Sequence, residues 1–414
     1  MNPPQHDRRK GPGGAEGESL PLAGVRVLDL TRLLPGPVCT MHLADLGADV
    51  VKVEDTGAGD YARTLGAKPG RTSAFFRMVN RNKRSAALDL KNPGGRAAFL
   101  ALARGADVVV ESFRPGVVDA LGVGYEALRP LRSSIVYASI SGYGQAGPRA
   151  KLAGHDINYL GYAGVLDQTG ARGGPPALSN LQIADLLGGA LTAAVAILGA
   201  VVGALRTGRG RSIDVAMADA TLAHNIFALH ALEQEGDTAP RGEDLLTGGV
   251  PCYGVYPTKD GRWLAVGALE AKFWRELCAT VGRNDFVDGG LATGERGERV
   301  RRDLEQVFST RTLAEWVAAF EGVDACVTPV ATLGEALDDA QFASRRMVVR
   351  DASGARSYAP PWKMGGESSR AGRRAPSQGE HTREVLREAG YDDAAIGALI
   401  AAGAARSGDP DAKR

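Results

Sequence analysis

From residue 22 onward the apolar positions alternate between two rhythms. Short aliphatic runs at 25–30 and 50–53 flank the segment 37–46, whose apolar residues recur at helical spacing. The alternation continues, predicting strands over 86–90, 108–110 and 135–140 and a helix over Pro93–Ala103. Asn92 stands where an N-cap is expected, and Pro93 takes the first helical position, where its missing N–H costs nothing. Strands alternating with helices favour a largely parallel sheet covered by helices, an α/β fold.

A long apolar stretch at 186–205 has the length of a membrane span, but it is mostly Gly and Ala, with Asp185 at its head and Arg206 at its tail. A closely packed, buried helix is therefore predicted there. The glycine-rich turn 207–211 leads into a short strand at 212–215, followed by one long helix over 217–232. A polar, Gly-rich loop at 235–249 then marks a change of composition. Beyond it, strands at Tyr253–Pro257 and 263–266 are joined through Lys259-Asp260-Gly261, a hairpin signal, and helices are predicted at 271–281, 300–308 and 313–320. The expected organisation is a large Rossmann-like domain over 21–224, a smaller α+β domain over 225–335, and a return to the large domain over 336–407. Residues 1–20, rich in Gly, Pro and charge, read as a disordered extension, and 408–414 as a polar tail. No internal repeat is seen.

The 414 residues carry 44% hydrophobic and 23% charged side chains, the composition of a globular protein. A net charge of +1 gives no bulk reason to bind nucleic acid or an anionic membrane, so an anionic ligand must be held by local residues. Cys39, Cys252, Cys278 and Cys326 are too scattered for a zinc site or a disulfide framework and read as buried thiols in a reducing compartment, the cytoplasm. Arg8, Arg9 and Lys10 are followed by no apolar run, so no secretory signal is expected.

Candidate chemistry centres on Gly154-His155-Asp156, which puts an imidazole beside a carboxylate in a glycine-hinged turn. An imidazole exchanges protons near neutral pH, whereas an aspartate does so only if its surroundings raise its pKa. His155 in such a turn serves either as a hydrogen-bonded structural residue or as a proton carrier. Asp185, at the head of the Gly/Ala helix, is equally suited to satisfying first-turn amides or to acid/base work after desolvation. Glu270, between a strand and a helix, either caps that helix or accepts a histidine N–H and so orients the ring. For a phosphate-bearing ligand the chain offers Lys83, Arg84, Lys91 and Arg114. Arg114, in Ser112-Phe113-Arg114-Pro115-Gly116, follows a predicted strand where open α/β sheets bind ligands, while most basic residues are merely solvated. Gly122, Gly124 and Ala127 match a dinucleotide fingerprint only weakly, because the preceding residues read as helix rather than strand. With no Walker A motif, metal-ligand helix or Gly-x-Ser-x-Gly elbow, NTPase, redox and serine-hydrolase readings lose support.

Several strings together resemble a known family. They are Leu22-Ala23-Gly24-Val25-Arg26-Val27-Leu28-Asp29-Leu30, Leu34-Pro35-Gly36-Pro37, the segment 43–54, Arg84-Ser85 leading to Leu88-Asp89-Leu90-Lys91, the segment 141–147 and Gly379-Glu380-His381-Thr382. All resemble the class III CoA transferases (CaiB/BaiF), over about residues 20–400. Gly154-His155-Asp156-Ile157-Asn158-Tyr159, Gly248-Gly249-Val250-Pro251, the segment 265–270 and the segment 324–330 resemble the α-methylacyl-CoA racemase branch.

The resemblance implies His155 and Asp185 as the two acid/base residues, with Asp156 in the same catalytic group and Glu270 supporting His155. Transferase relatives use an aspartate at the position of Asp185 as a nucleophile. The resemblance further implies CoA contacts at Leu88, Asp89, Leu90, Lys91 and Arg114 and substrate contacts at Gly154, Ile157, Asn158 and Tyr159. It implies cofactor-free inversion at C2 of 2-methyl-branched acyl-CoA thioesters and an interlocked homodimer. A basic residue found after the corresponding strand in some racemases is Asp55 here, which puts the adenosine-phosphate contact at that place in question. The alternatives are CoA transfer between carboxylic acids through an Asp185 anhydride, and non-catalytic binding of CoA esters.

Overall fold

The computed structural model describes residues 20–67, 72–350, 354–364, 367–368 and 372–408; the extension and the tail expected from sequence lie outside these but for Leu20 and Gly408. The chain divides into two compact units. The first comprises residues 1–163, 181–224 and 341–414, and the second residues 164–180 and 225–340. Segment 164–180, which the sequence reading leaves in the large domain, groups with the second unit.

The first unit is built on strands β1 (Arg26–Asp29), β2 (Asp49–Glu54), β3 (Arg84–Leu88), β4 (Val108–Glu111), β5 (Val136–Ser141) and β6 (Ser212–Ala216). They pair in the order β3-β2-β1-β4-β5-β6, all parallel, and Ala405–Arg406 adds an antiparallel edge beside β3. The central strands carry continuous apolar runs because both faces are covered, and Val108, Val109 and Val110 are all fully buried. The chain enters at β1, builds outward to β3, and returns to β4 on the other side. The switch in strand order therefore falls between β1 and β4, where open α/β sheets leave a crevice at the strands' carboxyl ends.

The Pro93–Ala103 helix starts as read from sequence, with the Asn92 side chain accepting the Gly94 N–H. The helix expected over 37–46 is Pro35–Asp45, begun by its proline. The apolar stretch forms one continuous helix, Ala184–Thr207, long and apolar enough to cross a membrane, with 44% of its most apolar window buried. It packs on the Pro35–Asp45 helix and β5, but Val195 and Leu205 are 71% and 68% exposed, so the buried helix expected from sequence is buried on one side only. The single helix expected over 217–232 is two, Met217–Ala223 and Ile226–Glu235, broken at His224 and Asn225.

In the second unit, β7 (Tyr253–Pro257) and β8 (Trp263–Gly267) form the expected hairpin, and β9 (Val327–Pro329) pairs antiparallel with β8. Tyr256, Trp274, Phe308 and Trp316 pack in its core with helices Ala271–Thr280, Gly294–Phe308 and Leu313–Ala319. Three of the cysteines are buried, but Cys326 is exposed, a departure from the expectation of four buried thiols.

Candidate active site

The Gly154-His155-Asp156 turn is the start of a helix, Asp156–Tyr162, with His155 as its N-cap residue. The His155 main-chain N–H donates to Asn158 Oδ1 at 3.0 Å, and His155 itself is exposed. Asn158 thus shapes the backbone of the turn, and Ile157 is exposed beside it. Tyr159 is buried and clamps the turn from beneath. Its phenol donates to the Gly154 carbonyl at 2.6 Å. A Cβ on Gly142 or on Gly154 would stand 2.4 or 2.7 Å from Tyr159 Cε1, so both positions need glycine for the ring to fit. Tyr143 packs edge-on against Tyr159 and Tyr162 at 5.2 and 5.6 Å between ring centroids. Tyr159, expected from sequence as a substrate contact, supports the carbonyl of the residue before His155.

Asp185 lies in the first turn of Ala184–Thr207, where residues 184–191 are wound as a π-helix. Such widened turns recur at functional sites. Gly188 and Gly189 bring this turn close to its neighbours: a Cβ at 188 would stand 2.7 Å from the Met217 carbonyl oxygen, and one at 189 would stand 2.8 Å from Pro35 Cβ. The Asp185 main-chain N–H donates to Asp156 Oδ1 at 2.9 Å, tying the two helix starts together. Burial, with the Asp156 charge next, pushes the Asp185 carboxyl up to about 6, although the His155 imidazole pulls it down. His155, Asp156 and Asp185 thus share one neighbourhood, and Asp185 gains its protonated form by desolvation. Glu270 belongs to the second unit, exposed, at the N-cap of Ala271–Thr280 after β8.

At the carboxyl ends of the strands, Lys91 and Arg114 are exposed, whereas Leu88 is buried in the core with Leu90 packed against it. Asp89 Oδ1 accepts the Lys91 N–H at 3.0 Å, bending the chain out of β3. Lys83 and Arg84 are not solvated cations. Lys83 is fully buried on Asp29 at 2.9 Å, and Arg84 is paired with Asp49, Glu384 and Glu388. Both are structural, which removes them as ligand contacts. The sequence reading missed Arg32, three residues past β1. Its N–H donates to Ser112 Oγ, and its guanidinium pairs with Asp55 at 3.2 Å and lies over the Tyr61 and Phe113 rings. Asp55, unexpected as an acidic residue there, thus holds a basic group at the β1/β4 switch. The signal available in the sequence was Arg32's place just past a strand end. Gly122 and Gly124 lie between two short helices, with no strand leading in. Among the described residues no cluster of His, Cys, Asp and Glu is arranged to hold a metal.

The profile of CoA-transferase family III matches residues 22–382. The chain is 37% identical over 372 residues to human α-methylacyl-CoA racemase, covering 89% of this chain and 94% of that one. It is 33% identical over 396 residues to human succinyl-CoA:glutarate CoA-transferase, covering 92% and 90% of the two chains. The crystal structure of a CaiB/BaiF family protein from Brucella suis superposes with a TM-score of 0.79 at 28% identity, covering 90% of this chain and all of that one. The chain belongs to CoA-transferase family III, whose matched relatives here include both a racemase and CoA-transferases.

Proposed function

We propose that the protein inverts the C2 centre of 2-methyl-branched acyl-CoA thioesters by removing and returning the α-proton. The observation that carries this reading is the Asp185 carboxyl, pushed up to about 6 by burial and the Asp156 charge in the neighbourhood of His155, so that it exchanges a proton close to neutral pH. Of Asp185 and His155, one takes the C2 proton; the C–H electron pair moves into a C1–C2 double bond, and the charge rests on the thioester oxygen as an enolate. The other group delivers a proton to the opposite face, and the electron pair returns to form the new C–H bond. In the reverse direction the roles exchange. Arg114, Lys91 and Arg32 are assigned to the phosphates of CoA, and a second copy of the chain to complete the assembly. The CoA moiety belongs to the substrate, and the chemistry calls for no separate cofactor.

The 33% identity to a succinyl-CoA:glutarate transferase supports a second reading, in which ionised Asp185 attacks the thioester carbonyl, forms a mixed anhydride and releases CoA thiolate.

Incubation with a (2R)-2-methylacyl-CoA in D2O, without an acceptor acid, separates the two. Racemisation with α-deuterium incorporation, lost in His155→Ala, is expected. CoA transfer on adding a carboxylate, with no exchange before it, would replace this reading by the transferase.

A further inference from the structure

Asp185 begins a helix whose N-cap residue, Ile183, has no side-chain acceptor to offer the first-turn amides. The acceptor comes instead from another element. Asp156 Oδ1 takes the Asp185 N–H at 2.9 Å, while the following amide, Leu186 N–H, donates to the carbonyl of Gln182, just ahead of the helix. Asp156 in turn is the residue next to His155, at the first position of the helix that His155 caps. The two candidate proton carriers are therefore joined through one peptide bond, one carboxylate and one hydrogen bond.

We infer that Asp156 is a positioning residue rather than a catalytic one: its carboxylate caps the Asp185 helix in trans and fixes the Asp185 carboxyl relative to His155. This rests on reading Asp185 as a proton carrier. Two consequences follow from the same contact. Loss of the acceptor strands a partly buried N–H and frees the π-wound turn to shift, which moves the reacting group. Loss of the charge alone leaves the geometry and removes the like-charge repulsion that helps to keep Asp185 protonated. Among the described residues the ionisable groups around Asp185 are few. Asp156, His155 and Tyr159 come from the His155 helix, and β6 carries Asp214, which accepts the Gln145 N–H. The helices Pro35–Asp45 and Met217–Ala223 approach the turn through Pro35, Met217 and Thr221, none of them charged.

Asp156→Asn keeps an oxygen at the acceptor position, whereas Asp156→Ala removes it, so the pair separates charge from tether. The carboxyl of Asp185 is followed directly by infrared difference titration against Asp185→Asn, a readout that does not depend on which reaction the enzyme performs. The midpoint is expected at about 6 in the unaltered protein and lower in Asp156→Asn. Asp156→Asn should keep kcat within about threefold with its pH profile moved to lower pH, and Asp156→Ala should lose on the order of 100-fold in kcat with KM little changed. Equal and near-total loss of kcat in both variants, with the Asp185 titration unmoved in Asp156→Asn, would overturn the inference and make Asp156 itself a proton carrier. Unchanged kcat in Asp156→Ala would overturn it as well. If the unaltered protein exchanges no α-proton, the racemase reading fails while the titration still decides the role of Asp156.

Discussion

Glu111 ends β4 deep in the sheet, opposite Ser139 of β5, and accepts the Phe113 N–H at 2.7 Å. It thereby shapes the loop that presents Arg114. Burial, helped by the charges of Asp119 and Asp214, raises its carboxyl from 4.5 to about 7 against the opposing hydrogen bonds from Ser139 and Phe113. A folded-state pKa above the unfolded one means that the native protein binds the extra proton. Its contribution is full below about 4.5 and is lost as the pH rises through about 7, amounting to about 3 kcal/mol. Asp185 acts in the same direction, so the test is a difference between proteins. Urea unfolding of the unaltered chain should weaken between pH 5 and pH 8 by more than that of Glu111→Gln. Parallel losses of stability in the two proteins would sink the assignment.

The Ala184–Thr207 helix shows how an element can be legible in outline and hidden in function. Its small residues announce close packing, and the structure locates the need at Gly188 and Gly189, under Asp185. Gly189→Leu is expected to displace the turn from Pro35 and Met217, destabilising the protein by roughly 1–3 kcal/mol and lowering α-proton exchange more than tenfold. Gly199→Ala in the same helix, where an added Cβ meets nothing within 4 Å, should leave exchange intact and stabilise slightly. Similar exchange rates in the two variants would refute the packing account.

The central strands were readable because burial on both faces leaves unbroken aliphatic runs, and the Pro93–Ala103 helix because Asn92 and Pro93 mark its start. The π-winding around Asp185 was not, since the apolar pattern of such a short turn hardly differs from that of an α-helix. Nor was the tie from Asp156, a side chain bonding a main-chain N–H 29 residues away, which has no sequence signature. Lys83 and Arg84 were misread for the same reason, because partners as distant as Asp29 and Glu388 decide whether a cation is buried or solvated.

Each unit leaves an apolar helical face uncovered. In the first, Val195, Val202 and Leu205 are exposed along the Asp185 helix; in the second, Ile226–Glu235 has no buried residue although it carries Ile226, Phe227, Leu229 and Leu232. Large apolar side chains gathered on an exposed helix face make it a candidate association site. These side chains are uncharged, and the net charge is only +1, so neither a steering field nor a charged partner is indicated. A second copy of the chain, proposed above to complete the assembly, would meet the requirement. Sedimentation equilibrium should then give about twice the 43.2 kDa chain mass, with a melting temperature that rises with protein concentration. Val195→Glu combined with Leu205→Glu, on the exposed side of the helix and away from the glycines that seat Asp185, should shift the protein toward monomer. An unaltered protein that sediments as a single 43.2 kDa chain while still exchanging the α-proton would exclude the dimer and leave the racemase reading standing.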